Sequence, residues 1–440
     1  MADDSLSTEN LRRINPFSRH VWQRGSRLYP ALRQQLIHDD MTMADDLALR
    51  ITLCLKMTAA FHPPAMLDKI RTALARRYRP GMVHHPYVAA LNHQRRFDDA
   101  LQYCAELHRT EQGSTGARLL LIDQFFIAGF PGKAIQLIKK SLTQIAQTDR
   151  QQAQKLATIL IEAGQLDWLR AQHRQLAERQ PRVAQADRLS GDPCNVPIYC
   201  ISLPNDHRRL STTRHFIDHG GPFHIVEAIA GRILPEVAKA ALIRGDGRSI
   251  TDSEIGCSLS HIKAWEMVAA SLGKDDFALI VEDDARFMFG APRGLNDILR
   301  AADEVGAGLI FISRRACGAT TANLPADEIR FANVDAATHP TPADWRPLDP
   351  GWGADGYLVT GAMARRLAGI WQQIGILGAV DWQLQMICHR HLQPWHRTRA
   401  LKNLYNQLND APDLPLVTGF TTNMPLIDTR DHGFSSINAG

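Results

Sequence analysis

Residues 277–284 read FALIVEDD: Phe277-Ala278-Leu279-Ile280-Val281, then Glu282-Asp283-Asp284. A short apolar run bounded by polar residues fits a buried strand. The strand delivers three carboxylates to its carboxyl end. If it continues through the triplet, period-two alternation puts Glu282 and Asp284 on one face. Two hard oxygen ligands on one face suit Mg2+ or Mn2+, which would also hold substrate phosphates. The competing reading is a solvated acidic turn that caps the next element.

Working outward, further short apolar runs lie at Val196–Leu203 (VPIYCISL), Phe223–Ala228 (FHIVEA) and Gly308–Ser313 (GLIFIS). Helical patterns fall between them, notably Leu259–Leu272. Strands alternating with helices predict an α/β domain with a largely parallel sheet, whose ligands bind beyond the carboxyl ends of the strands. Asp206-His207-Arg208-Arg209 follows the first strand, and its arginines could hold a diphosphate bidentately or solvate a surface turn. Glu254–His261 (EIGCSLSH) opens a helix running through Trp265. Ser253 and Ser258 are candidate caps, and the helix N-terminus is a candidate phosphate seat. His261, taken alone, reads as a packed helical histidine. The segment Gly256–Ser260 lacks the last glycine of a hydrolase nucleophile elbow, and no strand directly precedes it, so that chemistry is excluded. Asp381 follows the apolar stretch Ile374–Val380 and reads as a general base, a metal ligand or a helix cap.

Toward the N-terminus the pattern changes. Residues 1–75 read as helical without a motif. Then Arg95–Leu101 (RRFDDAL) recurs as Gly129–Ile135 (GFPGKAI) and Ala163–Leu169 (AGQLDWL), with Ala100 and Ala134 34 residues apart. Each copy is a short break followed by an amphipathic helix, which suggests stacked helical pairs of the tetratricopeptide type. A plain helical domain is the alternative. Arg179–Asn195 is polar, with Gly and Pro, and reads as a linker. The division is therefore an all-α domain over 1–190 and an α/β domain over 195–440.

Net charge is +4, unevenly spread: residues 1–190 carry 27 Lys and Arg against 18 Asp and Glu. The basic half fits a solvated helical surface, or a peripheral membrane or protein partner. No nucleic acid is expected. Seven cysteines without a C-x-x-C pair argue against a disulfide framework or a structural zinc site. The polar, acidic start MADDSLSTEN does not open a signal peptide. The apolar stretch Ile51–Phe61 is interrupted by Lys56 and too short to span a bilayer. The expectation is a cytoplasmic protein, at most peripheral at the inner face of the membrane.

Six segments, in this order, resemble glycosyltransferase family 25, the lipooligosaccharide and lipopolysaccharide galactosyltransferase-like group. They are Ile198–Arg209 (IYCISLPNDHRR), Ala228–Gly231 (AIAG), Glu254–Trp265 (EIGCSLSHIKAW), Ala278–Asp284 (ALIVEDD), Gly356–Leu367 (GYLVTGAMARRL) and Val380-Asp381. The resemblance implies a GT-A type, Rossmann-like domain behind the all-α helical-repeat domain. It implies inverting transfer of galactose or glucose from a UDP-sugar to a glycan, lipid-linked glycan or protein acceptor, in surface-polysaccharide synthesis. By the same analogy Glu282 and Asp284 are the metal ligands for Mn2+ or Mg2+. Leu203, Arg208, Ala228, His261 and Asp283 are donor-binding residues. The resemblance does not identify the base; Asp381, a carboxylate separate from the metal cluster, is the residue expected to fill that role. Two alternatives stand beside this reading. In one the helical repeats recruit a protein acceptor; in the other they form an adaptor with an inactive transferase domain.

Overall fold

The computed structural model describes residues 19–38, 46–178, 196–204, 206–217, 221–243, 250–288, 291–313, 331–333, 354–388, 417–422 and 425–429. The stretch read as a linker, 179–195, lies outside them.

The described N-terminal residues are helical: α1 (Arg19–His38), α2 (Leu47–Phe61), α3 (Pro64–Arg77), α4 (Pro80–His93), α5 (Phe97–Thr110), α6 (Thr115–Ile127), α7 (Pro131–Thr148), α8 (Arg150–Glu162) and α9 (Leu166–Glu178). The recurring break is one local structure built three times. Arg95, Gly129 and Gly164 each adopt a left-handed backbone, with φ of 58°, 79° and 71°. The next amide donates back to the carbonyl five residues earlier: Arg96 to Leu91 at 2.9 Å, Phe130 to Phe125 at 2.8 Å and Gln165 to Leu160 at 2.8 Å. This closure satisfies carbonyls that a helix end leaves orphaned. Two of the three turns use glycine, which meets positive φ without a Cβ clash, and Arg95 adopts it despite its side chain. Five residues after each left-handed position, Ala100, Ala134 and Leu169 are fully buried. Among the described residues no helix is long and apolar enough to cross a membrane.

Compactness divides the chain within α7: one unit ends at Leu137 and a second begins at Ile138. Around the sheet, the second unit holds β1 (Ile198–Ser202), α10 (His207–Ile217), β2 (Phe223–Glu227), α11 (Glu236–Leu242), α12 (Asp252–Ser271), β3 (Phe277–Glu282), β4 (Ala285–Phe287) and α13 (Ala291–Val305). There follow β5 (Leu309–Phe311), β6 (Phe331–Asn333), β7 (Gly356–Thr360), α14 (Gly361–Ile374), α15 (Val380–Met386), β8 (Phe420–Thr422) and β9 (Ile427–Thr429). Seven strands form one sheet in the order β2-β1-β3-β7-β5-β8-β6, and β4 pairs with β9.

The sheet is mixed: β2, β1, β3, β5 and β8 run in one direction, the largely parallel arrangement expected, and β7 and β6 run against them. β1 runs parallel to β2 and β3, but β7 enters between β3 and β5 antiparallel to both. Strand composition does not encode direction, because a strand covered on both faces is a continuous apolar run either way. Alternation along the strands sorts the core into two layers. Tyr199, Ile201, Ala278, Ile280, Tyr357 and Val359 meet Trp265 of α12 and Trp371 of α14 on one face. Ile198, Cys200, Leu279, Val281 and Leu358 meet Leu295 and Ile298 of α13 on the other.

Helix α8 is tied to the strand that follows the acidic triplet. Arg286 of β4 reaches Glu162 at 3.0 Å and Asp428 of β9 at 3.1 Å, and the Glu162 side chain has no exposed surface. Breaking a buried pair costs about 3–5 kcal/mol. Here Arg286 is 22% exposed and keeps Asp428, so Glu162→Ala is expected to cost about 2–3 kcal/mol. At about 2–4 °C per kcal/mol for a domain of this size, the melting temperature should fall by about 5–10 °C. A drop of less than a degree in thermal denaturation would show that the tie contributes nothing.

Candidate active site

The parallel strands β1 and β3 end side by side, with Ile201 in register with Glu282. Ser202 of β1 is in register with Glu227 of β2. Leu203, Ala228 and the acidic triplet all lie beyond these three carboxyl ends, where a sheet of this kind places its ligands. The Ala228 amide donates to the Ser202 carbonyl at 2.8 Å. Leu203, Ala228 and Arg208, the last on the first turn of α10, are half-buried.

The triplet does not continue the strand. β3 stops at Glu282, and Asp283-Asp284 turn the chain into β4. The strand alternation on which the expected sharing of one face by Glu282 and Asp284 rested therefore stops short of Asp284. Asp283 is buried; it accepts from Ser202 Oγ at 2.8 Å and pairs with Arg209 at 3.0 Å. Burial pushes its pKa up to about 6, against the pull of Arg209 and Ser202, with Asp206 and Glu282 adding to the rise. Arg209 also reaches Asp284 at 3.7 Å. Burial works against the Arg209 charge, yet the carboxylates of Asp283, Asp284, Asp206 and Glu282 outweigh it and raise its pKa. Arg209 is thus committed to the acidic turn, leaving Arg208 as the arginine of this pair placed nearer solvent. With a side chain 24% exposed against 9% for Asp283, Asp284 is the more accessible carboxylate of the turn.

Glu282 faces α12 instead. Its Oε1 lies 3.4 Å from His261 Nε2 and 3.7 Å from Cys257 Sγ. Among the described residues, these three offer ligand atoms that all lie within 4.8 Å of one another. A thiol and an imidazole are softer donors than Mg2+ or Mn2+ prefers, so a hard cation would use the carboxylate oxygens. His261 is fully buried, with Nδ1 2.8 Å from the Tyr357 hydroxyl, which also accepts from Trp265 Nε1 at 2.8 Å. Asp381 sits in the first turn of α15, half-buried. The Cys257 thiol is pushed well above its ordinary range by burial first, then by the charges of Glu282, Asp381 and Asp355. The fold thus brings Asp381 within electrostatic reach of Cys257, more than a hundred residues earlier in the chain.

Helix α12 organises both loops. Its N-cap is Thr251, in a capping box with Glu254; neither Ser253 nor Ser258 caps it. The box satisfies helix-end donors internally, and Asp252 and Glu254 add negative charge to the first turn, so the helix N-terminus is a poor phosphate seat. Gly256 and Gly231 let two backbones touch. A Cβ at Gly231 would stand 1.7 Å from the Asp252 carbonyl oxygen, and one at Gly256 would stand 2.4 Å from that of Ile229. Ser260 Oγ accepts from the Ile229 amide at 2.8 Å, and Lys263 donates to the Glu227 carbonyl at 2.9 Å. The reading from residue types missed Cys257, Tyr357 and Arg209's tie to the turn. The spacing of Cys257 and His261, one turn apart on a helix, was the available signal.

Residues 195–383 match the family model for glycosyltransferase family 25, described as an LPS biosynthesis protein family. A Haemophilus influenzae protein named "Putative glycosyltransferase" is 36% identical over 90 residues, which are 20% of this chain and 31% of the relative. The match thus spans about a third of that curated relative's length. No solved structure matches the chain. The resemblance to family 25 carried by the sequence motifs is therefore borne out over residues 195–383, which are similar to glycosyltransferases of that family.

Proposed function

We propose that the chain is a glycosyltransferase that moves a hexose, galactose or glucose, from a UDP-sugar to a glycan acceptor with inversion. The observation that carries the reading is the acidic turn Glu282–Asp284 beyond β3, beside Leu203 and Ala228 at the ends of β1 and β2, within the region that matches the family. In this reading the domain is of the GT-A type. Leu203, Arg208 and Ala228 meet the nucleotide. His261 and Asp283 act from behind, through Glu282 and Arg209. Glu282 and Asp284 supply oxygen donors that fit Mg2+ or Mn2+, and the ion would offset charge on the departing diphosphate. Asp381 removes the proton of the acceptor hydroxyl. The basic helical domain favours an acceptor at the inner membrane face, on lipopolysaccharide or another lipid-linked glycan.

The test is a screen of UDP-sugars with the purified full chain. Release of UDP should depend on Mn2+ or Mg2+ and stop on chelation. Absence of turnover with every donor would leave the inactive-adaptor reading; turnover unaffected by chelator would remove the metal from the proposal. The three recurring turns favour one further reading, in which a solenoid recruits a protein acceptor. Profiling peptide against glycan acceptors with the same full chain separates the two.

A further inference from the structure

The hydrogen bonds behind Glu282 fix the state of a histidine. An indole N–H can only donate, so the Tyr357 oxygen is the acceptor of the bond from Trp265 Nε1. The same hydroxyl lies 2.8 Å from His261 Nδ1. Trp265, His261 and Tyr357 are all fully buried. If Nδ1 carried the ring hydrogen, the Tyr357 oxygen would accept twice and its own hydrogen would be stranded in the core. No third hydrogen-bond partner for that hydroxyl is found among the described residues. A buried donor without an acceptor is costly. One arrangement satisfies every group: Trp265 N–H to Tyr357, Tyr357 O–H to Nδ1, and Nε2–H toward Glu282 Oε1 at 3.4 Å. Cys257, one helical turn before His261, places its sulfur 3.7 Å from the same oxygen.

We propose that His261 is a positioning residue, locked by Trp265 and Tyr357 as its Nε2–H tautomer, which together with Cys257 clamps one oxygen of Glu282 and so sets the orientation of that carboxylate. The lock follows from geometry alone; its consequence for catalysis rests on the transferase reading above. The same tautomer argues against a zinc ion on Cys257, His261 and Glu282. A metal at Nε2 needs that nitrogen bare, which moves the hydrogen to Nδ1 and strands the Tyr357 hydroxyl.

Two measurements on the full chain test it. In 15N NMR of imidazole-labelled protein at neutral pH, the His261 resonances, assigned by their loss in His261→Gln, should show a protonated Nε2 and a bare Nδ1. Tyr357→Phe should release that preference. A protonated Nδ1 in the wild type overturns the lock. In kinetics, outer partners of a metal-binding carboxylate commonly contribute about 10–100-fold. His261→Ala should therefore lose kcat by that factor with donor KM little changed. His261→Gln, whose amide can still donate to Glu282, should stay within about fivefold of wild type, below that range. Equal losses in Gln and Ala variants, or an undiminished kcat in folded His261→Ala, overturn the positioning role. If wild-type chain turns over no donor, the transferase reading fails with it, and the NMR result still decides the lock.

Discussion

Asp284→Ala is expected to remove metal-dependent UDP release while the protein still folds. Asp284 is the outer carboxylate of the acidic turn, 3.7 Å from Arg209, and Asp283 keeps that arginine paired at 3.0 Å when Asp284 is gone. The buried charge of Arg209 is therefore not left alone, and the structural cost should be small. The catalytic cost should be large. A divalent cation beside a departing diphosphate contributes several kcal/mol, and each 1.4 kcal/mol is tenfold in rate, so a loss of about three orders of magnitude follows. Titration with Mn2+ followed by electron paramagnetic resonance gives the direct check, because affinity for the ion should fall in parallel with UDP release. Full activity of the folded variant in chelator would sink the metal assignment.

Asp381→Asn is expected to lower kcat for transfer by about 10²–10⁴-fold, the usual cost of removing a general base. The change preserves shape and removes the proton acceptor, so donor affinity should move little. A single displacement with inversion needs a base away from the leaving diphosphate, and Arg209 gathers Asp283 and Asp284 on one side of the turn. Asp381 comes from α15, within electrostatic reach of Cys257, whose thiol also meets Glu282. That neighbourhood makes the comparison with Asp284→Ala informative. If metal and donor binding collapse in Asp381→Asn as well, Asp381 belongs with Glu282 and Asp284 in holding the ion, and the base is another residue.

Much of the framework was legible locally. The apolar runs at 196–203, 223–228, 277–281 and 308–313 became β1, β2, β3 and β5, and the helical pattern at 259–272 falls within or just past α12. Burial on both faces of a sheet leaves a continuous apolar signature that needs no knowledge of the partner. The repeated breaks were legible for the same reason, since a left-handed turn closing a helix is encoded within a few residues. β7 stood out only within a motif segment, and the short strands β4, β6, β8 and β9 did not stand out, because their three residues mix polar with apolar side chains and form no apolar run like the one around β5.

The sequence by itself determined that a strand ends in three carboxylates, that helices precede an α/β region, and that the motif order resembles family 25. Tertiary structure decided how those carboxylates are used. Alternation along an ideal strand paired Glu282 with Asp284, but the turn into β4, held by pairing with β9, sends Asp284 to Arg209 and leaves Glu282 facing His261. Thr251 rather than a nearer serine caps α12 because Glu254 completes the box. The buried ties of Arg286 to Glu162 and of His261 to Tyr357 join residues 124 and 96 positions apart. Local periodicity tells which face of an element is buried. It carries no record of which distant side chain that face will meet, and at this site those meetings decide the partners of Glu282, Asp283, Asp284 and His261.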